Sequence, residues 1–78
     1  MSDPIPSPGG QKALAVIRAS GHVIVDADLP VPELVTLAAA AAQWGAALTV
    51  RHAYLRSEGE LSEIASAGRG HVTFDLAE

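Results

Sequence analysis

The chain has 78 residues and no cysteine, and five Lys plus Arg against nine Asp plus Glu give it a formal net charge of −4. This length holds one domain with a thin core, and without disulfides or thiolate metal sites a partner chain is the natural supplement. The basic residues Lys12, Arg18, Arg51, Arg56 and Arg69 are scattered, which excludes the clustered surface that tracks phosphates and so excludes nucleic acid as a ligand.

Met1 to Gly10 holds three of the five prolines, Pro4, Pro6 and Pro8, spaced by Ser, Asp, Ile and Gly. It reads as a flexible N-terminal stretch (1–10) ahead of a single domain (11–78), and it lacks the basic start and apolar core of a signal peptide. The first helix is expected from Pro8 or Gly10 to Ser20, with Ser7 as cap, Pro8 in the first turn and Gly21 as the left-handed stop. The first strand follows at His22–Asp26. A second helix is expected to start near Pro32 and end at Gly45. The run from Leu34 to Val50 carries no charge, but alanine dominates it and Gln43 and Gly45 interrupt it. A membrane span needs about 20 strongly apolar residues, so no membrane is expected and the compartment is read as cytoplasmic. The second strand is expected at Ala47–His52. The third helix opens on the capping box Ser57-x-x-Glu60 and closes at Gly68. The third strand is expected at His71–Leu76.

Three segments repeat in the same order. Gly21-His22-Val23 with Asp26 matches Gly70-His71-Val72 with Asp75, and Glu33-Leu34-x-x-Leu37-Ala38 matches Glu60-Leu61-x-x-Ile64-Ala65. Val23-x-Val25, Leu48-x-Val50 and Val72-x-Phe74 take equivalent places in the three strands at steps of 25 and 24 residues, within the range of solenoid repeats. The pattern resembles a short leucine-rich repeat, most closely at Leu48-x-Val50-x-x-Ala53-x-Leu55. Asp28, Ala53 and Ala77 stand where that family has asparagine. The resemblance implies a curved array of strand–helix units that binds partners on its sheet face.

The expected fold is therefore α/β: a two-layer αβαβαβ arrangement with a three-stranded parallel sheet, right-handed crossovers, helices on one face and a solenoid-like repeat. Side chains alternate across a strand. Val23, Val25, Leu48, Val50, Val72 and Phe74 then face a helix stripe of Leu14, Ile17, Leu34, Leu37, Ala38, Ala41, Leu61, Ile64 and Ala65. The uncovered face carries three rows: His22, Ala47 and His71; Ile24, Thr49 and Thr73; Asp26, Arg51 and Asp75. An arginine flanked by aspartates is a favoured cross-strand arrangement.

His22, Asp26, Thr49, Arg51, His71, Thr73 and Asp75 are thus the candidate binding face, with solvation of a bare sheet as the plainer reading. His52 and Tyr54 lie at a strand's C-terminal end, where α/β proteins often hold ligands. No catalytic residue is assigned, since no base or nucleophile is paired with them. No metal or cofactor is implied: His22 and Asp26 would stand about 13 Å apart along one strand, and His22 and His71 about 9.6 Å apart across two. Ser57 reads as a cap, Gly68-Arg69-Gly70 has the wrong order for a dinucleotide loop, and Trp44 reads as a core or interface plug.

Both edge strands lack the lysine or proline that usually blunts an edge. The third strand is followed by no helix, and the first helix is preceded by no strand. A head-to-tail stack of copies would satisfy both. The expected function is a non-catalytic protein-interaction or self-assembling module, with itself as the first partner. The alternatives are a small regulatory or inhibitor protein that binds one target, and a small enzyme using His52 and Tyr54.

Overall fold

The computed structural model describes residues 8–77. The expected Ser7 cap and most of the proline-rich stretch lie outside them. Among the described residues the order is α1 (Pro8–Arg18), β1 (His22–Asp26), α2 (Val31–Trp44), β2 (Ala47–Arg51), a 3-10 turn (Ala53–Leu55), α3 (Glu58–Gly68) and β3 (Val72–Phe74). The fold is α/β, with an open three-stranded parallel sheet in the order β1-β2-β3.

The register follows the sequence spacing. Val23 stands beside Leu48 and Leu48 beside Val72, while Ile24, Thr49 and Thr73 form the next row. Leu48 and Val50 are fully buried, whereas Ile24 and Thr73 are exposed. One sheet face therefore packs on the helices and the other meets solvent. On the covered face α2 lies between α1 and α3 and touches both.

The core holds Ile17, Leu34, Leu37, Leu48, Val50 and Ile64, all fully buried. Each contributes roughly 1.5–3 kcal/mol by leaving water. Small residues fill the rest: Ala13, Ala27, Ala38, Ala41, Ala46 and Ala53. Leu14 and Leu61 pack at the core's margin. Ala65 departs from the expected stripe and is exposed, because one residue past Ile64 the helix has already turned away from the sheet.

Helix ends follow local chemistry. The Ser57 hydroxyl accepts from the Glu60 N–H at 3.2 Å, and the Glu60 carboxylate accepts from the Ser57 N–H at 3.0 Å. Left-handed residues follow all three helices: Ser20 (φ 61°), Gly45 (φ 67°) and Arg69 (φ 49°). The first of these was expected at Gly21. Gly21 instead serves close approach, since a Cβ there would stand 2.5 Å from Val16 Cγ1. β3 is shorter than expected at Val72–Phe74, although Leu48 N–H to His71 O and Asp75 N–H to Val50 O, both 2.9 Å, continue the ladder on either side.

Candidate functional site

Two regions carry exposed, chemically distinctive groups: the loops at the C-terminal ends of β1 and β2, and the free edge of β1.

At the strand ends, the backbone register sets Asp26 beside Arg51. Their side chains do not pair. Asp26 Oδ2 instead accepts from His52 Nδ1 at 2.8 Å, and Oδ1 accepts from the Asp28 N–H at 3.1 Å. A carboxylate acceptor requires Nδ1 to carry the proton, which leaves Nε2 of a neutral ring as an acceptor. His52 reaches Asp26 from a left-handed backbone (φ 58°) at the exit of β2. The Tyr54 ring stands edge-on to it, 6.2 Å between centroids at 77°. The His52 hydrogen bond, then the Asp28 N–H, hold the Asp26 carboxyl below its ordinary value. Partial desolvation opposes them, and attraction to His52 and Arg51 assists.

The expected ladder of Asp26, Arg51 and Asp75 is therefore a row of backbone positions, not of ion pairs. Asp75 Oδ1 accepts from the Ala77 N–H at 3.0 Å. Among the described residues no carboxylate lies within salt-bridge distance of Arg51. His71 is half-buried and reaches the residue just before β2, its Nδ1 bonded to Ala46 O at 2.9 Å. His22 and Thr73 are exposed and Thr49 is half-buried in the middle of the outer face.

Sequence reasoning missed Arg56. Its Nε donates to Ala27 O at 2.8 Å and its Nη2 to Leu29 O at 2.7 Å, while Nη1 lies 3.6 Å from Glu60 Oε2. It staples the β1–α2 loop to the start of α3. The available signal was an arginine four residues before the capping-box glutamate, a spacing that favours pairing. Among the described residues no hydroxyl is hydrogen-bonded to His52, and no group of three His, Asp or Glu side chains could hold a metal. The cluster links two strand ends and presents one imidazole to solvent.

The free edge differs. Ala27 N–H donates to Arg51 O at 2.9 Å. Alternation in a parallel ladder then turns the N–H and C=O groups of His22, Ile24 and Asp26 outward. Beside them runs an apolar groove of about 330 Å³ lined by Gly9, Lys12, Ala13, Val16 and Val23–Val25. Ile24 is 65% exposed and Val16 42% exposed. A second groove of about 390 Å³ runs between α1 and α2 past Leu14, Arg18, Ala40 and Trp44. Trp44 is thus a half-exposed groove wall, its carbonyl accepting the Ser20 hydroxyl at 2.8 Å. Ala39 is exposed in the same groove, and Ala40 and Ala42 are half-buried. No helix among the described residues is long and apolar enough to cross a membrane. Comparison with protein-family models, with curated proteins and with solved structures finds no match to this chain.

Proposed function

We propose that the chain is a non-catalytic interaction module that associates with copies of itself through its open sheet edges. One observation carries the reading: the outward backbone groups of β1 lie beside an apolar groove with the exposed side chains Ile24 and Val16. An edge of this kind pairs readily with another strand. The strand spacing supports the same reading, because a leucine-rich-repeat-like array extends by adding units at its ends.

The test is solution mass by light scattering across a dilution series. The wild-type mass should rise with concentration, and Ile24→Pro should hold the mass at one chain, since proline removes an edge donor while an edge strand tolerates it. A wild-type chain that stays at the mass of one copy at high concentration overturns the proposal.

The groove between α1 and α2 favours a second reading, a small regulatory protein whose target docks against Trp44. In that case Trp44→Ala abolishes target binding while self-association is absent.

A further inference from the structure

Resting on that self-association, we infer that the contact is head to tail: β3 and α3 of one copy receive β1 and α1 of the next, latched by Glu58 against Lys12. Three observations converge on this polarity.

The first is backbone parity. The bonds from Leu48 N–H to His71 O and from Asp75 N–H to Val50 O turn the groups of Val72 and Phe74 toward the free side of β3. On β1 the free groups belong to His22, Ile24 and Asp26. If Val23 of the next copy stands beside Val72, as Val72 stands beside Leu48, the two unpaired rows meet in the parallel ladder pattern. The same step seats the next α1 beside α3, just as α2 lies beside α1.

The second is the placement of side chains on the helix flanks. In α1, Gly9, Lys12 and Val16 each precede a buried residue, and they line the groove at the free edge. Leu14 and Arg18 each follow a buried residue, and they line the groove against α2. The three helices run alike over one sheet face, so the same sense holds in α3. Ala65 and Ser62, which follow Ile64 and Leu61, lie on the flank turned away from α2. Glu58 shares that flank, three residues before Leu61 and four before Ser62.

The third is complementarity at matched height. Val16 stands four residues before the left-handed Ser20, and Ala65 four before the left-handed Arg69. The exposed valine therefore meets a small residue. Lys12 falls level with Leu61, and Glu58 lies one turn toward the N-terminus, the direction in which a helical side chain leans. Helix α1 carries Lys12 and Arg18 and no acid, while α3 carries Glu58, Glu60 and Glu63 and no base. A two-fold contact between β1 edges would instead set Lys12 against its own copy. One pair opposes the seam: Asp75 would stand beside Asp26 of the next copy, and like charges directly opposite are unfavourable. A heterologous contact of this kind does not stop at two copies; it gives rings or open filaments.

The experiment measures association of the full chain by light scattering and sedimentation, with circular dichroism confirming the fold of each variant. Lys12→Glu and Glu58→Lys should each weaken association about tenfold at low salt, and an equimolar mixture of the two should restore it. Glu63→Lys makes the same charge change on the other flank and should leave association within about twofold. Asp75→Asn should strengthen it a few-fold, and salt should weaken the wild type. If Ile24→Pro abolishes association while Glu58→Lys and the mixture have no effect, the edge reading stands and the head-to-tail polarity falls. A wild type that remains one copy throughout removes both.

Discussion

The loops at the C-terminal ends of β1 and β2 and the free edge of β1 lie on the same small sheet, yet they are built in opposite ways. At the loops, most of the polar side chains, Arg51 apart, find partners within the chain. Asp26 holds His52 and the Asp28 N–H, Arg56 holds the Ala27 and Leu29 carbonyls, and Ser57 and Glu60 cap each other. At the edge, alternation leaves the backbone groups of β1 facing outward, and the side chains around them are mainly apolar. A domain this small gains stability by closing its polar loops internally, and what remains open is the surface available to another chain.

Substitutions should separate the two regions. The largest effect on folding is expected from Arg56→Ala, which strips the Ala27 and Leu29 carbonyls of a charged donor. It should cost about 2 kcal/mol in urea unfolding and leave association of the remaining folded chains intact. A smaller effect, confined to acid, is expected at Asp26. Its folded carboxyl titrates below its ordinary value, so its stabilisation is fully present above the unfolded value of about 3.9. It is lost as pH falls through the lower folded value. Asp26→Asn should therefore flatten the stability profile below about pH 4, as followed by thermal unfolding at stepped pH. The smallest effect on folding is expected from Ile24→Lys, within about 0.5 kcal/mol of wild type, although it should reduce association sharply. A marked loss of stability there would mean that the edge contributes to the fold and would erase the distinction.

The sequence made the sheet legible because its side-chain period is two. Val23, Leu48 and Val72 share a row, and a slip of one residue would have turned every core valine to water. The capping box at Ser57 and the stop at Gly45 were legible because their chemistry is local. The Asp26–His52 pair was not. Row logic set Asp26 opposite Arg51, and only the left-handed turn at His52 brings the imidazole to it. Arg56 was hidden for a related reason, since its carbonyl partners lie 27 and 29 residues away and a long side chain advertises no target. The exposure of Ala65 shows the limit of reading a stripe of alanines, whose small size suits a helix flank as well as a core.

The three left-handed residues that follow the helices are not equivalent in comfort. Gly45 adopts the conformation freely, whereas a side chain there costs on the order of 1 kcal/mol. Ser20 recovers part of that cost through its hydroxyl on the Trp44 carbonyl. Arg69 has no such anchor among its contacts with the described residues. Replacing Arg69 with glycine should therefore raise the melting temperature by a few degrees, for roughly 0.5–1 kcal/mol, while the same exchange at Ser20 should come out near neutral. The residue that ends α3 thus holds an unrelieved kink, and a single exchange there can tighten this domain without touching its core or its edges.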